Sequence, residues 1–203
     1  MLMISNRIFN IMFTAGILCM VASCSQIPIN YEKVLKLKPG EKIYTAHNIW
    51  VEKNDDITHM NYHTGKILTF GTEVQIVEAL RGEIKFKDVN TEEQYTLKVY
   101  RKTFTLRPEE LVSRIFTAKP PEKLTEGIRP EVLDKIKKGI VEKGMTRNEV
   151  ILAYGYPPAH RTPVLDSPSW IYYQNTDDVE RVIFNKKGIV VDIMKPEKPE
   201  VSK

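Results

Sequence analysis

Four histidines and two cysteines are the residues of this 203-residue chain best suited to metal or nucleophilic chemistry. His59 and His63 stand four apart, a spacing that makes a metal pair on a helix. The run Thr58-His59-Met60-Asn61-Tyr62-His63-Thr64-Gly65 reads instead as strand and turn, so the two rings need not converge, and surface histidines beside a turn are expected. His47 is the third candidate of that region. Asp55-Asp56 and Asp177-Asp178 sit in turn-like contexts, where solvated carboxylates are expected. The chain has no Gly-rich phosphate loop, no H-E-x-x-H and no G-x-S-x-G, and the expectation is a protein that is not an enzyme, with no metal. Trp50 and Tyr62, with Tyr44, admit two readings: an exposed aromatic groove for a peptide or glycan, or strand residues turned into a core.

The elements that carry these residues begin after residue 23. Arg7 precedes a largely apolar run, Ile8 to Ala22, which stops at Ser23-Cys24 and is soon followed by Pro28. A spanning helix needs about 20 apolar residues, so this run reads as an export signal over residues 1–23. Val21-Ala22-Ser23-Cys24 resembles the lipobox of bacterial lipoproteins: an aliphatic residue, two small residues, then the cysteine that receives lipid. The resemblance implies cleavage between Ser23 and Cys24 and a thioether-linked diacylglycerol on the Cys24 sulfur. This covalent lipid is the one prosthetic group expected, and membrane lipid the first partner. Cleavage removes Cys19 and leaves Cys24 as the sole cysteine, which excludes an internal disulfide. Ser25 stands where the family's usual inner-membrane retention signal is Asp, so the resemblance implies the outer membrane, facing the periplasm. Loss of Arg7 leaves 29 basic against 26 acidic side chains, a formal charge of about +3, too mild to indicate a nucleic-acid partner.

Residues 24–40, with Pro28, Pro39 and Gly40, read as a lipidated tether. Residues 41–117 are rich in period-two strand formers: Ile43 to Val51, His59 to Tyr62, Lys66 to Phe70, Glu73 to Leu80, Glu83 to Lys87 and Gln94 to Tyr100. Pro108-Glu109-Glu110 opens a short closing helix. The strand number and the run Ile67-Leu68-Thr69-Phe70-Gly71-Thr72-Glu73-Val74-Gln75-Ile76 resemble the small antiparallel barrels of bacterial Src-homology type. Residues 118–129, rich in proline and charge, read as a linker, and 195–203 as a disordered tail.

Residues 130–194 carry the most explicit local signals. Pro130 to Gly139 reads as a helix with Val132, Leu133 and Ile136 on one stripe. Thr146 and Glu149 form a capping box, and Met145 can staple to Val150. Three strands follow, Ser169 to Gln174, Val179 to Asn185 and Ile189 to Met194, the last two joined by Lys186-Lys187-Gly188. The expected fold is α+β: a barrel-like first domain, then two helices and a three-stranded antiparallel sheet. Gly144-Met145-Thr146, Glu149-Val150, Gly155-Tyr156-Pro157, Trp170-Ile171-Tyr172 and Val182-Ile183-Phe184, in that order, look like the SmpA/OmlA (BamE-like) domain.

That resemblance implies a small, non-enzymatic outer-membrane lipoprotein, and its founding members are accessory parts of the machine that inserts β-barrel proteins. This chain departs from the best-known members in placing a strand-rich region ahead of the family domain. Most matching residues have structural roles, so the candidate partner-binding loop is Pro157 to Leu165, with His160, Arg161 and Leu165 as its contacts. Two functions follow: a scaffold that binds envelope proteins, or a cell-wall module in which Trp50 and Tyr62 hold peptidoglycan. Exposed rings favour the second and buried rings the first.

Overall fold

A computed structural model describes residues 26–195. Ser23 and Cys24, the expected cleavage and lipidation residues, lie outside the described residues, as do 196–203. The first half begins with a short helix, α1 (Tyr31–Leu35), capped by Asn30 Oδ1, which accepts from Lys33 N at 2.9 Å. Strands β1 (Ile43–Thr45), β2 (Ile49–Val51), β3 (Asp56–Thr58), β4 (Lys66–Leu68), β5 (Glu73–Ala79), β6 (Glu83–Asp88) and β7 (Gln94–Lys98) follow. Helix α2 (Pro108–Ile115) and β8 (Phe116–Thr117) close this half. Six strands form one curled sheet, a half-barrel, in the order β3-β7-β6-β5-β1-β8.

Period-two burial explains the central strands. Ile84 and Phe86 of β6 and Tyr95 and Leu97 of β7 point into one core, which α2 covers with Leu111, Val112 and Ile115. In β5 the alternation breaks: the register shifts between Ile76 and Glu78, so Val77 and Glu78 both face solvent and Ala79 returns to the core. This is a β-bulge, one residue more on β5 than on its partner.

The half-barrel differs from the expected antiparallel barrel in three ways. The β3–β7 pair is parallel. The expected strand Ile43–Val51 is two strands, because the chain leaves the sheet at Ala46-His47-Asn48, and β2 pairs instead with β4 in a separate ribbon. The expected strand His59–Tyr62 is a turn in which Asn61 takes φ +51°. The stretch read as a tether is docked from Ile27 onward: Ile29 is buried, and its N–H donates to Ala79 O at 2.8 Å.

The stretch read as a linker is also packed. Helix α3 (Pro121–Leu124) lies inside it, Leu124 and Ile128 pack on the second core, and Pro121 sits so close to Gly71 that a Cβ there would lie 2.9 Å from it.

The second half follows the expected order: α4 (Pro130–Lys137), α5 (Arg147–Tyr154), then β9 (Ser169–Tyr173), β10 (Val179–Phe184) and β11 (Val190–Met194) in an antiparallel sheet ordered β11-β10-β9. The capping box is present in both directions: Glu149 N donates to Thr146 Oγ1 at 3.2 Å and Thr146 N to Glu149 Oε2 at 2.6 Å. Trp170, Tyr172, Val182 and Phe184 face α4 and α5 with Ile136, Met145 and Val150. Trp50 and Phe70, from the first half, belong to this same core. Gly139 makes room for Trp50, since a Cβ on it would lie 2.6 Å from the indole ring.

Candidate functional site

The two halves meet at Asn48, which is fully buried. Its side-chain N–H groups donate to Ile136 O at 2.6 Å and Ala153 O at 3.1 Å, its Oδ1 accepts from Phe70 N at 3.1 Å, and its backbone N–H donates to Leu152 O at 3.0 Å. The last carbonyls of a helix have no partners inside it. At the end of α5 those of Leu152, Ala153 and Tyr154 are taken up by the first half: by Asn48 twice, then by Asn61 Nδ2 at 3.0 Å and His63 Nε2 at 3.3 Å. Three polar residues interrupting the strands of one half thus cap a helix of the other.

Beside this seam lies a small cleft between the half-barrel and the Tyr156-Pro157-Pro158-Ala159-His160 segment. Its walls are mostly apolar, including Ile57, Leu97, Phe104 and Leu111, with His47, Thr58, His59, Arg114 and His160 as polar members. The space open to water-sized groups amounts to about 40 Å³, and about 10–15 Å³ of such space holds one water. The cleft therefore has room for a few waters or a small side chain. Thr58 Oγ1 and His160 Nδ1 are buried with no hydrogen-bond partner among the described residues. Arg114 stacks over the Tyr156 ring at 4.9 Å and donates to Glu110 Oε1 at 2.7 Å.

The histidines of the seam and cleft are held neutral. Burial pushes His47 down to about 4, partly offset by the bond from its Nδ1–H to Asn48 O at 2.7 Å. Burial also pushes His63 down to about 4, although its ring bonds to Tyr154 O. His63 stacks on Trp50 with centroids 4.1 Å apart, and its Nδ1 takes a bond from Gln174 Nε2 at 3.1 Å. His59 and His160 are lowered as well, chiefly by burial.

One pair has the composition of a nucleophile and base: His59 Nε2 lies 3.1 Å from Thr103 Oγ1. Tyr100 N–H donates to His59 Nδ1 at 3.3 Å, which leaves the ring proton on Nε2, where it donates to Thr103; the Thr103 hydroxyl in turn donates to Tyr100 O at 3.3 Å. A ring in this tautomer cannot accept the hydroxyl proton. Among the described residues, no group of three or more His, Cys, Asp or Glu side chains is placed to hold a metal ion. His59 and His63 diverge: the first bonds toward Thr103, the second toward Tyr154 and Gln174.

The expected contact residues are separated by the fold. His160 is half-buried, lines the cleft and stacks on Tyr173. Arg161 is exposed. Leu165 is half-buried against the second core, and its carbonyl accepts from Trp170 Nε1 at 3.0 Å. The exposed apolar side chains of the loop are Pro163 and Val164, the latter at 58 % exposure. Trp50, at 6 % exposure, is a core residue and offers no open ring; Tyr62 is half-buried, edge-on to Tyr173. Sequence reasoning missed Asn48, Asn61 and Arg114, and the one available signal was the polar pair His47-Asn48 interrupting the strand-forming run Ile43–Val51. Comparison with protein-family models, with curated proteins and with solved structures finds no match to this chain.

Proposed function

We propose that the chain is an outer-membrane lipoprotein, anchored through Cys24, that acts as a non-enzymatic scaffold for envelope proteins, with the Tyr156–Leu165 loop and the adjoining cleft as its docking face. The SmpA/OmlA resemblance supports a role beside β-barrel protein assembly, and Val21-Ala22-Ser23-Cys24 supports the anchor. The observation that carries the binding role is the chemistry of the cleft: a space of about 40 Å³, neutral histidines, and a Thr103–His59 pair whose proton points the wrong way for attack. A small, mostly apolar recess with a few polar groups supports docking of a partner's side chain. The peptidoglycan alternative loses its main argument with the burial of Trp50.

The test is a mild-detergent pull-down of the mature protein from its native envelope, with Cys24→Ala as the anchor control and Arg161→Ala/Val164→Ala as the loop variant. Capture of β-barrel assembly components that survives in wild type and falls at least about tenfold in the loop variant, the loss of one 1.4 kcal/mol contact, supports the reading. Recovery of cell-wall fragments alone sinks it.

A further inference from the structure

The leash between the expected lipid and the fold is very short. Ile27 O accepts from Arg81 N at 3.0 Å, Pro28 bridges to Leu80, and Ile29 N donates to Ala79 O at 2.8 Å. Only three residue steps separate Cys24 from Ile27, and three residues span at most about 10 Å when fully extended. Acyl chains on Cys24 reach a bilayer only if the end of the fold that carries Ile27 and Arg81 lies within about that distance of the headgroups. A screening length at physiological salt is about 8 Å, so charges on that end sit within the field of an anionic surface.

The chemistry of the same end fits such a surface. The β5–β6 turn, Leu80-Arg81-Gly82, is joined to the segment after β7 by the bond from Val99 N to Gly82 O at 3.0 Å. Arg81, Arg101, Phe104 and Leu106 line one shallow groove. The segment Tyr100 to Arg107 carries Arg101, Lys102 and Arg107 and no acid. Elsewhere on this half, Lys42, Lys66, Lys85, Lys87 and Lys98 form ion pairs, while Lys33, Lys36, Lys38 and Lys53 form none among the described residues; what sets the cations of this turn and segment apart is their place at the end of the fold that carries Ile27. Arg81, Arg101, Lys102 and Arg107 form none among the described residues, and all four are exposed. Tyr100 and Ile27 stand beside them at 51 % and 38 % exposure. Unpaired cations interleaved with an aromatic and an aliphatic side chain are the composition that partitions to headgroups.

We propose that the surface formed by Ile27, Arg81, Tyr100, Arg101, Lys102 and Arg107 lies flat on the membrane and takes anionic phospholipid headgroups. The orientation rests on reading Cys24 as acylated; the charge complementarity stands without it. Phe104 and Leu106 line both the basic groove and the cleft, so a partner seated in the cleft is held next to the bilayer.

The experiment uses the mature-length chain carrying Cys24→Ser, so that no acyl chain contributes, sedimented with vesicles of phosphatidylglycerol and phosphatidylethanolamine or of phosphatidylcholine alone. Each cation near an anionic surface contributes about fivefold to partitioning. Changing Arg81, Arg101, Lys102 and Arg107 to Gln should therefore weaken binding to the anionic vesicles at least about 100-fold. The same charge change at Lys119, Lys137, Lys186 and Lys187 should have a far smaller effect. Equal losses in the two variants, or equal binding to both kinds of vesicle, overturn the surface assignment whatever the state of Cys24. The mass of the N-terminal peptide from native envelope reads acylation separately, and an unmodified Cys24 overturns the anchor and the orientation with it. In the acylated protein, a twelve-residue Gly/Ser insertion before Gln26 should expose Arg101 and Lys102 to trypsin on vesicles; unchanged protection overturns the leash argument.

Discussion

The two halves of this protein are specified in different ways. In the second, each element carries its own instructions within a few residues: proline at the first position of α4, a reciprocal cap on α5, glycine at the β10–β11 turn. In the first, the same period-two pattern is compatible with several pairings, and the choice is made by contacts distant in sequence, such as β3 alongside β7 and Asn48 against α5. Local signals decide where elements are, and buried polar groups decide how they are joined. If this is right, breaking a long-range polar contact costs far more than deleting a local signal.

The largest effect is expected at Asn48. Asn48→Ala leaves Phe70 N, Ile136 O and Ala153 O to find other partners in a buried seam. Unmet buried groups cost about 1–3 kcal/mol each, less where another bond remains, so a loss of about 4 kcal/mol is expected in urea unfolding. A loss under about 1 kcal/mol would mean that the halves are joined chiefly by the apolar contacts of Trp50 and Phe70.

Acid should loosen the same seam. His47 and His63 have folded values near 4 against an ordinary 6.5. Below 6.5 the unfolded chain takes up protons that the folded chain refuses, so stability falls as pH drops from about 6.5 toward 4 and levels below that. At pH 5 the two together cost about 4 kcal/mol relative to pH 7. Imidazole resonances followed by NMR check this directly, and rings titrating near 6.5 would refute it.

Gly139→Ala tests where the second core borrows from the first half. The new methyl meets the Trp50 ring in a backbone with φ +64°. Strain and overpacking together should cost about 2–3 kcal/mol by thermal unfolding, with a change in Trp50 fluorescence.

Much of the second half was therefore legible in the sequence, element by element, and the reason is physical. Thr146, Glu149 and Gly188 act on neighbours within four residues. The half-barrel was legible only as strands. The polar break at His47-Asn48 marks a position in Ile43–Val51 but not its consequence, because the partners of the Asn48 side chain are Ile136 and Ala153, far along the chain. The tether and linker readings failed likewise: Pro28 and Pro121 look like punctuation, but each packs on residues far along the chain. The candidate loop was legible as irregular. Which of its residues face solvent was not, since that depends on Trp170 and Tyr173 beneath it.

A local cap supplies the contrast. Thr146→Ala removes one side-chain bond at the start of α5 and should cost about 1 kcal/mol, a quarter of the Asn48 effect. Equal losses at the two positions would remove the distinction between local and long-range specification.

Glu180 shows a buried polar group acting against stability rather than joining elements. It faces the second core from β10; its Oε1 has no partner among the described residues, and Lys195 Nζ stands 3.9 Å from Oε2. Burial raises its carboxyl above the ordinary 4.5, with Tyr154 beside it pulling the other way. A raised carboxyl is protonated more readily when folded than when unfolded. The native state therefore loses stability as pH rises through 4.5, until the folded group ionises too, and the cost persists at neutral pH. Glu180→Gln removes the charge and should stabilise the protein at pH 7 by up to about 1 kcal/mol, with the gain fading as the medium is acidified. Equal gains at pH 7 and pH 4 would assign the effect to packing, and a loss at pH 7 would show that the carboxylate is held by an interaction worth more than its burial.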